Sequence, residues 1–125
     1  MKKEKFSINK RLASFKFAFN GIRILLKEEH NSRIHFLAAF CVIALAYIFK
    51  ISSIEWIALI FVIGFVIVVE IINTSIENIA DFISPEKNEK IKVIKDLAAA
   101  AVLVSAITSM IIGLIVFVPR LWTYL

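Results

Sequence analysis

Three apolar runs divide the chain, and a segment of helical period precedes them. From Ile34 to Phe49 sixteen residues pass with one histidine and no acid, lysine or arginine. From Leu97 to Pro119 there are twenty-three residues without a charge, close to the roughly 20 apolar residues that cross a hydrocarbon core. The run from Trp56 to Val69 is shorter and reaches spanning length only by continuing into residues 70–83. Ahead of them, Leu12, Phe15, Phe19, Ile22 and Leu26 recur in three- and four-residue steps, while Lys16, Asn20, Arg23 and Lys27 share another face. The pattern predicts an amphipathic surface helix over 8–29, lying in the headgroup region. Transmembrane helices are predicted over about 34–50, 54–83 and 95–119. Ser84-Pro85 is expected to break the second span, a lysine-containing loop to run on to about residue 94, and Pro119 to end the third. Ala101, Ser105, Ser109 and Gly113, spaced by four, predict a smooth ridge for close helix approach.

Composition turns these helices into membrane spans. Sixty per cent of the 125 residues are hydrophobic, too many for a soluble domain of this length to hide. The expectation is one all-α integral membrane domain over residues 1–125. The basic N-terminus has no apolar core close behind it, so it does not read as a cleaved signal peptide. Cys41 lies within the first span and reads as a small packing residue.

Charge sets the expected orientation. Residues 1–33 carry nine of the fifteen Lys and Arg, among them Lys2 and Lys3, and Lys87, Lys90, Lys92 and Lys95 follow the second span. Only Lys50 and Arg120 mark the opposite ends. Positive charge collects on the cytoplasmic side, which places the N-terminus and the 82–96 loop inside and the C-terminus outside. The net charge of +5 is then accounted for by topology and anionic lipid rather than nucleic acid.

Against this background the segment VVEIINTSIENIADF at 68–82 is costly. At about 100° per residue Asn73, Glu77 and Asp81 fall within about 60° of Glu70, with Thr74 on the same side. This polar stripe reaches from the inner boundary into the bilayer, where an ionised carboxylate is expensive and packing gives no reason to keep one. Asp81 is placed to snorkel to the boundary, Glu70 least so. Glu29 and Arg33 stand just before the first span, and Lys95 and Asp96 open the third at the same face. Glu29 and Glu77 suit Mg²⁺, which takes one or two carboxylates together with phosphate oxygens, and Lys95 could meet a phosphate directly. With three glycines in the chain, no glycine-rich phosphate loop is present.

These residues carry a resemblance. E-I-I-N-T-S-I-E-N-I-A-D at 70–81, K-D-L-A-A-A-A-V at 95–102 and E-H-N-S-R-I-H at 29–35 resemble the signature of the small prokaryotic diacylglycerol kinases, a family that includes the undecaprenol kinases. The resemblance runs over nearly the whole chain. It implies a homotrimer of three-span subunits, each with a surface helix, in the bacterial plasma membrane, with active sites built between subunits. It also implies transfer of the γ-phosphate of ATP to the primary hydroxyl of a membrane lipid. By similarity Glu70 would be the general base, Glu29 and Glu77 would hold Mg²⁺ and ATP, and Lys95 and Asp96 would bind the nucleotide. Asn73 and Asp81 would orient their neighbours. Lys10 stands where the diacylglycerol kinases have an arginine, with Arg11 beside it. Phe17 replaces a hydroxylated aromatic at the nucleotide, and Ala99 a serine that meets the lipid headgroup. His35, Asn73-Thr74, SIEW at 53–56 and IIGLIVFVPRL at 111–121 look more like the undecaprenol kinases. His35 itself reads as a boundary residue with a hydrogen-bond partner.

Two functions from other classes compete for the same residues. One is a non-enzymatic membrane protein, such as a small oligomeric cation pore or an assembly subunit, and the pore predicts acids spread through the membrane depth. Here they gather at one side, and the third span has none. A proton-coupled carrier predicts an inverted repeat, which the sequence lacks.

Overall fold

A computed structural model describes residues 5–125; Lys2 and Lys3, which count toward the expected orientation, lie outside them. Among the described residues the only regular elements are helices: α1 (Ile8–Glu28), α2 (His30–Ile48), α3 (Ser53–Ile83) and α4 (Glu89–Tyr124). The last three are long and apolar enough to cross a membrane.

Helix α1 opens on Ser7, whose hydroxyl accepts from the Lys10 amide at 3.4 Å. The C-terminal part of its apolar stripe turns inward, with Ile22 and Leu26 half-buried beside buried Leu25. Leu12, Phe15 and Phe19, further along the same stripe, are exposed, as a face dipped into acyl chains would be. A single extended residue, Glu29, separates α1 from α2. Its amide still donates to the Leu25 carbonyl at 3.0 Å and its carbonyl accepts from the Arg33 amide at 3.4 Å. The Arg33 guanidinium reaches back to the carbonyls of Leu26 and Lys27, at 2.5 and 2.9 Å. Those are orphan acceptors at the end of α1, which a cation satisfies well.

At the far end α2 turns into α3 through a Schellman motif, in which the Ile51 amide donates to Ala46 and the Lys50 amide to Tyr47, both at 3.3 Å. The left-handed position that glycine favours is occupied by Lys50, at φ 50°. Ser52 and Glu55 then form a capping box at the start of α3. Ala46, Ile51, Leu59 and Val116 make a small buried cluster here. Arg120 closes it by pairing with Glu55 and donating to the Phe49 carbonyl.

Helices α3 and α4 form an antiparallel hairpin and supply most of the interhelical packing. Three expectations need correction. The third span helix begins at Glu89, not near residue 95, because the Asn88 side chain caps it, accepting from the Lys90 and Ile91 amides at 2.9 and 3.4 Å. It also runs through Pro119 to Tyr124. A proline in a helix forfeits one hydrogen bond and crowds the preceding turn, but this end is anchored by Arg120 and by the Phe49 ring, 6.2 Å from Phe117 and 5.5 Å from Tyr124. The small-residue ridge is also displaced. Ser105 is fully buried, and Ser109 and Gly113 half-buried, but Ala101 is exposed and Ala98 takes the inward place. A strict four-residue step drifts about 40° each time around a helix of 3.6 residues per turn. The buried line therefore alternates steps of three and four.

Candidate active site

Glu70 sits on α3 opposite the first turns of α2, and is 2 % exposed. Two α2 side chains one turn apart address its two oxygens. The Ser32 hydroxyl donates to Oε2 at 3.3 Å. His35 Nε2 stands 3.3 Å from Oε1, a close approach without hydrogen-bond alignment, so Oε1 has no hydrogen-bond partner. One turn further along α3 the Asn73 Oδ1 and Thr74 Oγ1 atoms are likewise buried and unpartnered. Each such atom costs about 1–3 kcal/mol when left unmet. Of the three residues, Glu70 and Asn73 also line a cavity, and buried polar atoms of this kind call for a partner.

Glu29, Glu70, Asn73, Glu77 and Ala99 line one cavity of about 390 Å³, with His35 on its wall and Val102, Leu103 and Ala106 of α4 opposite. The three carboxylates expected to converge do so within one chain. Glu29 feels it most. Its carboxyl is held above the usual range by burial, then by a hydrogen bond to Glu77, and by the nearby charges of Glu77, Glu70 and Glu28. Among the described residues no three His, Cys, Asp or Glu side chains gather to hold a metal ion unaided. The Glu29–Glu77 pair is instead a two-carboxylate donor set, the kind Mg²⁺ completes with phosphate oxygens and water.

The remaining expected residues lie elsewhere. Lys95, Asp96 and Asp81 line a second cavity of about 670 Å³ beside the α3–α4 loop. There Lys95 pairs with Asp81, and Asp96 pairs with Lys92 at 2.8 Å. These are exposed pairs of small energetic weight, which a phosphate could exchange. Glu77 lies close enough to Lys95 to act on it electrostatically, linking the two cavities. Lys10 and Phe17 are on exposed turns of α1 and line neither. A third cavity, about 100 Å³ and mostly apolar, continues from the first along α2 and α3, and His35 lines both.

Ser32 is a residue the sequence did not point to. Its signals were its place within the 29–35 motif and its position three residues before His35, on the same face of α2. His35, expected to be a boundary residue with a hydrogen-bond partner, stands against the most buried acid, its Nε2 3.3 Å from Glu70 Oε1.

Every residue that lines this cavity, from Glu29 to Ala106, lies within the stretch of the chain that matches a known family. The family model described as prokaryotic diacylglycerol kinase matches residues 16–117. The chain belongs to that family. Membership places it among enzymes that phosphorylate membrane lipids, with ATP as co-substrate. Its relatives include the undecaprenol kinase of Bacillus subtilis (strain 168), 37 % identical over 91 % of this chain and 93 % of that protein. A diacylglycerol kinase of Synechocystis sp. is 32 % identical over 88 % of this chain, which spans 63 % of that protein's length. A diacylglycerol kinase of Helicobacter pylori (strain 26695) is 39 % identical over 73 % of this chain and 71 % of that protein.

Proposed function

We propose that this chain transfers the γ-phosphoryl group of ATP directly to the primary hydroxyl of a membrane lipid, with undecaprenol the favoured acceptor and Glu70 the general base. The observation that carries it is the unpartnered Oε1 of buried Glu70, facing a cavity that also holds Glu29 and Glu77. Phosphoryl transfer asks for positioning and charge neutralisation more than covalent help. Glu29 and Glu77 fit Mg²⁺, which when bound would neutralise the ATP phosphate oxygens. Lys95 would leave Asp81 for a phosphate, while Asp96, Lys10 and Phe17 would meet the rest of the nucleotide. Asn73 and Asp81 would hold their neighbours in register, and Ala99 would face the acceptor's head.

Lys10 and Phe17 lie away from their own chain's cavity, which supports a homotrimer whose subunits complete one another's sites. The charge asymmetry supports a bacterial plasma-membrane protein with its N-terminus and active sites toward the cytoplasm. The undecaprenol preference rests on the Bacillus subtilis relative and on Ala99, which offers a diacylglycerol headgroup no hydroxyl.

The test is direct. Purified protein in mixed micelles is given γ-labelled ATP, Mg²⁺ and either undecaprenol or diacylglycerol, and the lipids are separated. Label is expected mainly in undecaprenyl phosphate; label in neither lipid removes the reading. Glu70→Gln should abolish turnover while keeping ATP-dependent thermal stabilisation, whereas Glu77→Gln should weaken both. Near-normal turnover of Glu70→Gln would remove Glu70 as the base.

A further inference from the structure

We propose that His35 is the outlet for the proton that Glu70 collects, a positioning residue that resets the base between turnovers; this rests on Glu70 being the base. A carboxylate that takes a proton at every cycle has to lose it at every cycle. Glu70 is nearly sealed, and its Oε2 is engaged by Ser32, itself 1 % exposed. The way in and the way out are therefore both at Oε1. His35 Nε2 stands 3.3 Å from that atom, and its side chain is 25 % exposed against 3 % for Glu70. Ser32 and His35, three apart on α2, divide the two oxygens between them: one keeps an oxygen occupied, the other serves the reacting oxygen.

No other side chain at the site fits the role. Asn73 and Thr74 have unpartnered oxygens, but neither an amide nor a hydroxyl takes up and releases a proton near neutral pH. The titratable groups facing His35 within the cavity are Glu70 and Glu77 of α3 and Glu29 at the head of α2. Glu29 and Glu77 are engaged with each other. Helix α4 presents Ala99, Val102, Leu103 and Ala106, and no charge. The imidazole of His35 has two ring nitrogens, so it can take a proton at one and release one from the other.

The steps balance. The acceptor's O–H proton moves to Glu70 Oε1 as its oxygen bonds to the γ-phosphorus. The bond from that phosphorus to the bridging oxygen breaks, and its electron pair leaves with ADP. The imidazole, already 3.3 Å away, then turns into line, and the proton passes from Oε1 to the Nε2 lone pair of a neutral ring protonated at Nδ1. The resulting imidazolium loses one proton to water in the cavity, which restores both groups.

Rapid-quench kinetics on the full-length protein in mixed micelles, with saturating ATP, Mg²⁺ and undecaprenol, tests this on His35→Gln and His35→Ala. Glutamine retains a hydrogen-bond donor at similar reach but accepts no proton. In both variants one equivalent of product should form at the wild-type rate, followed by steady turnover at least about a hundredfold slower, the low side of what a proton-transfer residue contributes. The KM for ATP should stay within about twofold, and added imidazole should speed the steady phase of His35→Ala. A slow first turnover would mean that His35 only shapes the base, and would overturn the proposal. So would wild-type steady turnover in His35→Gln, or no response to imidazole. Thermal unfolding in detergent shows whether each variant is folded, and His35→Gln, close in size, decides if the alanine variant is not. Glu70→Gln in the same series separates the two readings: normal turnover there removes the base itself, whereas an inactive Glu70→Gln beside a normal His35→Gln removes the outlet alone.

Discussion

At Glu29 the site's assembly works against the fold. Its carboxyl is raised above the ordinary 4.5 by burial first and by neighbouring acids after that, so the folded state holds this proton more tightly than the unfolded chain. Stability from this group is present below the unfolded value and declines as pH rises through the folded one. The close approach of Glu29 to Glu77 is therefore a local liability when Glu29 ionises, which a cation shared with Glu77 would relieve. Glu29→Gln should raise the thermal midpoint of the ligand-free protein at neutral pH, flatten its decline with rising pH, and erase the extra stabilisation given by Mg²⁺ and ATP together. Melting curves in detergent across about pH 4–8, with and without the nucleotide, check all three. A midpoint lowered by the substitution would contradict the linkage. Ser32 belongs at this scale too, because the hydroxyl that occupies one oxygen of Glu70 leaves the other available.

The elements divide by the force that fixes their ends. In the α2–α3 turn Lys50 occupies a left-handed conformation that costs a residue with a Cβ roughly 1–2 kcal/mol, and glycine's greater freedom when unfolded returns roughly 0.5–1 of that. Lys50→Gly should therefore stabilise the fold by about 0.5–1 kcal/mol without affecting turnover, readable in denaturant titrations. On α4, Ser105→Leu should destabilise by about 1–3 kcal/mol by overpacking a closed contact, whereas Ala101→Leu, on the exposed face, should be tolerated. The reverse order would restore the four-residue ridge. The helices and the Glu70–Asn73–Thr74 stripe were legible in the sequence, because both follow from periodicity and from the expense of charge in lipid. The ends of α4 were not. Asn88 is an ordinary polar loop residue until its side chain is seen to accept two amides. Pro119 ends a helix by local rules, and only long-range anchors, Arg120 on Glu55 and Phe49 against Tyr124, carry the helix past it. The pairing of Lys95 with Asp81 was hidden for the same reason, since it depends on how α3 and α4 dock.

For the molecule as a whole, the chain leaves large apolar side chains exposed along every helix, far more than a surface in water tolerates. Lipid and neighbouring subunits are the expected cover. If Lys10 and Phe17 serve a neighbouring subunit's site, mixed assemblies of Glu70→Gln chains with Lys10→Ala/Phe17→Ala chains, each impaired alone, should recover part of the wild-type rate; no recovery would mean that these two residues do not complete another subunit's site. The junction at Glu29 has a consequence of its own. A single residue joins the limb that lies along the membrane to the limb that enters it, and Arg33 ties the two together. With a junction this short, a movement of α1 relative to α2 would carry Glu29, one of the cavity's three carboxylates, along with it. If α1 rides in the lipid surface, its depth there would then bear on the spacing of the acids below.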